Sequence, residues 1–87
     1  MELIKTNVKY CVTHNNQSIS LSGEVTVAES VIVTFSGITK KLDGFPIGSF
    51  TYDDSTKLVK VIDCEIEFID LSHDIVWEAI NLIKGIL

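Results

Sequence analysis

The chain contains no arginine: all of its basic residues are lysines, and 7 lysines against 12 acidic residues give a net charge of -5. Arginine supplies the planar, bidentate donors that proteins use on phosphates and base edges. An acidic chain without arginine lacks the positive surface that nucleic-acid binding needs. We therefore expect no direct nucleic-acid partner.

Proline and cysteine are also scarce, and no apolar run approaches the roughly 20 residues that span a membrane. The first five residues, Met1 to Lys5, lack the basic segment and apolar run of a signal peptide. These absences predict a cytoplasmic protein, in the host cytoplasm if a phage encodes it, with no membrane partner. Cys11 and Cys64 are then expected to be reduced thiols packed as small hydrophobic side chains.

The 87 residues are enough for one domain, spanning 1–87, and too few for two hydrophobic cores. Hydrophobic residues make up 46% of the chain and charged residues 22%, so the composition favours an ordered globule. The mean hydropathy of +0.33 is high for so small a domain. Some apolar side chains are therefore expected to meet a partner or a second copy, and we predict a homodimer.

Alternating apolar and polar residues predict five strands, over residues 4–12, 18–27, 31–38, 49–52 and 57–69. In the third strand Val31, Val33 and Phe35 are expected to share the face of Gly37. A bulge or a change of buried face is expected near Val61 and Ile62, where the alternation reverses.

A helix is predicted over residues 73–87, with Ser72 as its N-cap and Asp74 in its first turn. Its apolar positions fill an arc of roughly 160°, which is wider than one small sheet can cover. The predicted fold class is α+β: a five-stranded, mostly antiparallel sheet of hairpins or a meander, followed by a single C-terminal helix packed on one face.

No motif for catalysis stands out, since no nucleophile elbow, catalytic cysteine motif or phosphate-binding loop is present. Cys11, His14, Cys64 and His73 have the ligand count of a structural zinc site. Only Cys11 and His14 have the spacing of a metal knuckle, so the preferred interpretation is a cysteine in the core, a histidine in a turn and a histidine at the start of the helix. We predict a protein that is not an enzyme and uses no metal or cofactor.

Acidic residues gather in the second half of the chain. Asp63, Glu65 and Glu67 recur at period two, which on a strand would place them in a row about 7 Å apart. That spacing is close to the phosphate repeat of a nucleic-acid strand, so the row could occupy the basic channel of a nucleic-acid-binding enzyme. With Asp70 and Asp74 it forms the predicted partner-binding face. The alternative is a solvated face that only keeps the protein soluble.

Four large apolar residues are candidates for an interface: Phe45, Trp77, Ile80 and Leu87. Phe45 could anchor a partner or fold back over the end of the sheet, and Trp77 could cover the sheet edge or face another subunit.

These observations predict a non-catalytic protein-binding module. The leading hypothesis is an inhibitor of a nucleic-acid-binding protein, of the anti-defence type carried by phages and mobile elements, such as anti-CRISPR proteins. The alternative is a structural subunit, a small virion or accessory protein that assembles through its helix or a sheet edge. A zinc-binding or small-ligand-binding domain is a third hypothesis.

Overall fold

The computed structural model describes residues 8–87, which form five strands and a helix in one α+β fold. The sheet is an antiparallel meander with the strand order β1-β2-β3-β4-β5. The fold class predicted from the sequence is confirmed. The elements are β1 (Val8–Asn15), β2 (Ser20–Ala28), β3 (Val31–Lys40), β4 (Pro46–Asp53), β5 (Leu58–Ile62), a short 3-10 helix (Ile66–Phe68) and α1 (Ile69–Ile86).

Short turns join the strands, and local interactions or backbone conformation account for the first two. The Asn16 side chain accepts hydrogen bonds from the backbone N–H groups of Ser18 and Ile19, which closes the β1–β2 turn. Glu29 and Ser30 both have positive φ angles, 53° and 64°, as a two-residue hairpin with the twist of its strands requires.

The β5–α1 region differs most from the prediction. The strand predicted over 57–69 ends at Ile62, because Asp63 adopts a φ of +52° and the chain leaves the sheet there. The helix begins at Ile69 rather than at residue 73, so Ser72 lies inside its first turns and is not its N-cap. Strand β4 is longer than predicted, and residues 4–7 of the first predicted strand lie outside the described residues.

The inward face of the sheet forms the core with one face of the helix. Ile19, Leu21 and Val25 of β2 are buried, as the alternation predicted. In β3 a register shift opposite Thr26 and Val27 changes the buried parity. Ile32 is therefore buried and Val31 exposed, contrary to the sequence prediction. No register shift occurs near Val61, where one was predicted.

The helix packs on this face mainly with its middle turns. Ile75, Val76, Ala79 and Ile80 are fully or almost fully buried. The sheet contributes Phe35 and Phe50, whose rings meet edge to face with centroids 4.9 Å apart. No helix within residues 8–87 is both long enough and apolar enough to cross a membrane.

Gly23 and Gly37 face each other across β2 and β3, where the two backbones approach closely. A Cβ on Gly37 would lie 2.2 Å from the carbonyl oxygen of Ser22, so Gly37→Ala should destabilise the fold by about 1–3 kcal/mol. Gly85→Ala is the matched control, since nothing lies within 4 Å and a helical alanine should stabilise by up to about 1 kcal/mol. Urea denaturation measures both, and equal stability of the two variants would contradict the prediction.

The β4–β5 turn holds a carboxyl group with a displaced pKa. The Ser55 hydroxyl and the Ser55 backbone N–H both donate to the Asp53 carboxylate, at 2.7 and 2.8 Å. These bonds favour the charged form, so the pKa of Asp53 is lowered from its ordinary value of 3.8. In the same turn the Asp54 carboxylate accepts from the Lys57 ammonium at 3.1 Å, which raises the pKa of Lys57.

Because the folded-state pKa of Asp53 is lowered, its stabilising contribution is present above pH 3.8 and is lost as the pH falls through the lowered folded value. Ser55→Ala should move the pKa of Asp53 upward, towards 3.8, in an NMR titration of the carboxyl carbon. Thr56→Ala is the control, because the Thr56 hydroxyl bonds to the Asp53 backbone carbonyl instead. An unchanged pKa in Ser55→Ala would refute this explanation.

Candidate functional site

The predicted acidic row does not lie on a strand. Asp63 follows the end of β5, Glu65 precedes the 3-10 helix and Glu67 lies within it. The 7 Å spacing of alternate strand residues therefore does not apply, and the prediction of an acidic strand face was wrong. Asp70 and Asp74 lie in the first turns of α1.

These five acidic residues nevertheless form one exposed stretch of chain, here called the acidic end: Asp63, Glu65, Glu67, Asp70 and Asp74. No lysine occurs between Lys60 and Lys84. Within residues 8–87, none of the five carboxylates lies within 4.0 Å of a lysine or histidine nitrogen. In the described part of the chain the acidic end therefore presents carboxylates without a close ion-pair partner.

Buried polar contacts hold the acidic end against the sheet. The hydroxyls of Thr39 on β3 and Ser72 on α1 are hydrogen-bonded at 3.0 Å, and both residues are fully buried. The Cys64 thiol lies 3.6 Å from the same Ser72 hydroxyl, and Cys64 packs directly over Gly48 of β4. The β5–α1 connection is thus tied to β3 and β4 on both sides of Glu65 and Glu67.

Exposed apolar side chains lie beside the acidic end. Ile66, between Glu65 and Glu67, is 88% exposed, and Phe45 of the β3–β4 loop is 62% exposed. The Lys41 ammonium lies 5.5 Å from the centre of the Phe45 ring and 5.8 Å from that of Phe68, so the loop and the acidic end are neighbours. The exposure of Phe45 favours its role as an anchor for a partner over the alternative, a side chain that folds back over the end of the sheet.

The other three candidate interface residues have different positions. Ile80 is fully buried, because it lies on the face of α1 that packs against the sheet, so its assignment to an interface was wrong. Trp77 is partly exposed and meets Tyr52 edge to face, with ring centroids 5.7 Å apart. Leu87 is exposed at the end of the helix.

A second surface lies where the helix end passes over β1 and β2. It is an open, mainly apolar groove of about 590 Å³. Tyr10, Val12, Val25 and Val27 line it from the sheet, and Ile83, Ile86 and Leu87 line it from the helix; Cys11 and Thr13 complete the lining. The wide apolar arc of the helix was the feature of the sequence that indicated this groove. Its exposed residues Tyr10 and Ile86 were not among the predicted interface residues, and neither was Ile66 at the acidic end.

The hypothetical zinc ligands are spread over the molecule. Cys11 and His14 lie on opposite faces of β1, since their positions differ by an odd number. The His14 ring nitrogen Nε2 lies 3.1 Å from a carboxylate oxygen of Glu78, which ties the first hairpin to the helix. Residues 8–87 contain no cluster of three or more His, Cys, Asp or Glu side chains suited to a metal ion.

Both cysteines are free thiols, but Cys11 is exposed rather than packed as a small hydrophobic side chain. Cys11 stands between Tyr10 and Val12, which face the core side, so its side chain lies on the outer face of the sheet. No helix covers that face in the described part of the chain. Cys64 is partly buried beside Ser72.

The Thr39–Ser72 hydrogen bond should stabilise the fold as a coupled pair. Thr39→Val and Ser72→Ala should each lower the free energy of unfolding by about 1–3 kcal/mol, because the remaining buried hydroxyl loses this hydrogen bond. The double variant should lower it by less than the sum of the two. A double-mutant cycle in urea measures the coupling, with the exposed Thr51→Val as control. Additive costs would show that the hydroxyls do not interact.

Comparisons of the chain with protein-family models, with curated proteins and with solved structures gave no match.

Proposed function

We propose that this protein is a non-catalytic binding module that attaches to a basic surface of another protein through its acidic end. The observation that carries the proposal is the set of five exposed, unpaired carboxylates around two exposed apolar side chains, Ile66 and Phe45. Charge attracts the partner and sets the orientation, while the apolar side chains supply contact area.

The partner class that fits this chemistry is a nucleic-acid-binding protein, possessing a channel lined with lysine and arginine for phosphates. Carboxylates that enter such a channel exclude nucleic acid by occupying the same cationic groups. A net charge of -5 also speeds the approach to a positive cleft. The proposed role is therefore an inhibitor of the kind that phages and mobile elements direct against host defence nucleases, acting in the host cytoplasm.

The arrangement of the carboxylates differs from the straight row, spaced like nucleic-acid phosphates, that the sequence predicted. The carboxylates follow a 3-10 turn and the start of a helix instead of a flat strand, so they do not form one straight row. Among them Ile66 is 88% exposed and offers an apolar contact to the partner. Binding should weaken as salt rises, because exposed charges are screened beyond about 8–10 Å at physiological ionic strength.

Charge reversal at the acidic end tests the proposal. The double variant Glu65→Lys/Glu67→Lys should lose at least tenfold in affinity for a partner captured from host lysate and identified by mass spectrometry, with an unchanged thermal melt. Glu24→Lys/Glu29→Lys is the matched control: it makes the same change in net charge on exposed residues of the first two hairpins. Within residues 8–87 the one ion pair that this control removes, Glu24 with Lys9, joins exposed side chains and contributes little to stability.

Two outcomes would contradict the proposal. One is equal binding by the acidic-end variant and the control variant, which would mean that net charge alone attracts the partner. The other is a captured partner that nucleic acid fails to displace, because a channel blocked by the carboxylates cannot hold both. An additional variant, Phe45→Ser/Ile66→Ser, should weaken binding without changing its salt dependence, since it removes contact area and no charge.

The alternative function is a structural subunit, a small virion or accessory protein that assembles from copies of itself. The apolar groove and the exposed helix end favour this second candidate. A homodimer is compatible with both functions, because the groove and the acidic end involve different residues.

A further inference from the structure

Strand β1 is an edge strand without the features that usually protect such an edge. Within residues 8–87 it pairs only with β2, so its other side presents free backbone N–H and C=O groups. It runs for eight residues in unbroken register, without proline or bulge. Its only lysine, Lys9, lies 3.7 Å from Glu24 of the neighbouring strand.

The opposite edge is better protected. Strand β5 has only five residues and carries Lys60 in its middle. A short strand with a central lysine is a common means of preventing edge-to-edge association. The two edges therefore differ, and β1 is the one suited to pairing.

The apolar groove adjoins this same edge. Tyr10 is 53% exposed although it stands on the inward face of β1, directly opposite the buried Val25. Across the groove Ile86 is 84% exposed at the helix end. Large apolar side chains are thus left uncovered next to unpaired backbone groups, and one partner strand could cover both.

We propose that β1 pairs antiparallel with β1 of a second copy, about a twofold axis that passes through Cys11, to form a continuous ten-stranded sheet. A twofold axis perpendicular to the sheet keeps the faces of the two strands aligned, so it joins residues of equal parity. With Cys11 on the axis, Tyr10 lies opposite Val12 of the second copy and Lys9 lies opposite its Thr13.

The side chains of β1 suit this self-pairing. Tyr10 with Val12 is an aromatic and β-branched pair, the kind that stabilises neighbouring strands. No two like charges meet, because Lys9 faces a threonine and β1 contains no acidic residue. The acidic end lies in the β5–α1 region, beyond the opposite edge of the sheet, so the negative charges of the two copies stay apart.

The extent of the contact is adequate for a dimer. Seven paired residues form about six to eight backbone hydrogen bonds. Tyr10, Ile86 and Leu87, which line the groove beside this edge, would add apolar contact area to these hydrogen bonds. This arrangement explains why the helix end carries apolar side chains that its own sheet leaves uncovered.

Light scattering over a dilution series of the full chain tests the proposal. The wild type should have twice the 9.6 kDa mass of one chain. Tyr10→Lys should have the mass of a single chain with a nearly unchanged thermal melt, because it places an inward charge at the new interface and its site is exposed in the monomer. Leu58→Lys on β5 and Leu82→Lys on α1, both at exposed leucines, should remain dimeric.

A wild type that is monomeric at every concentration would overturn the proposal. So would dissociation by Leu58→Lys or Leu82→Lys with Tyr10→Lys still dimeric, which would place the interface on β5 or on the helix. These outcomes need no partner protein, so they are independent of the experiment on the acidic end.

Cysteine crosslinking tests the position of the axis. Cα atoms directly opposite on antiparallel strands lie about 4.5–5.5 Å apart, within disulfide range. Diamide, which is reduced as it takes two electrons and two protons from a pair of thiols, should therefore join two chains through Cys11. The crosslink should form in Cys64→Ser and be absent from Cys11→Ser and Tyr10→Lys. A dimer without this crosslink would exclude the proposed register.

Discussion

The position of α1 along the sheet decides most of what this molecule presents to solvent. The helix buries residues between Ser72 and Ile80 against the sheet, and the buried Ser72–Thr39 hydrogen bond helps to fix the position of this segment. The last turn of the helix then passes over β1 and β2, where Ile86 and Leu87 stay exposed. The apolar groove beside β1 and the packed acidic end beside β4 are therefore two consequences of one packing arrangement.

The two surfaces suit different kinds of contact. The acidic end offers unpaired carboxylates together with the exposed Ile66, a combination that suits attraction to a basic surface. The groove and the β1 edge offer backbone hydrogen bonds and apolar area, which favour a neutral, well-matched strand. A dimer through β1 would carry two acidic ends at the far edges of one sheet, so the two proposed contacts can exist together and a bivalent complex becomes possible.

The strand alternation was a reliable guide where one face of a strand packs on the core and no register shift interrupts the pairing, as the reversal at Val31 and Ile32 of β3 shows. It predicted β2 well, because Ile19 to Val27 alternate without interruption. It failed over residues 63–69, where Cys64, Ile66 and Phe68 alternate with acids just as a strand would. There Asp63 turns the chain, Cys64 packs over Gly48, and Ile66 is left in solvent. A period-two pattern shows which residues are apolar, but it does not show whether each of them is buried, and here Ile66 is not.

The amino-acid sequence by itself determined the α+β class, the five strands, the C-terminal helix and the concentration of acids after Lys60, because periodicity and charge are properties of neighbouring residues. Only the tertiary structure decided that Ser72 bonds to Thr39, that Ile80 lies inside, and that Tyr10 and Ile86 line one groove. Those facts depend on which parts of the helix and the sheet come into register, and that register is set by close packing between residues far apart in the chain.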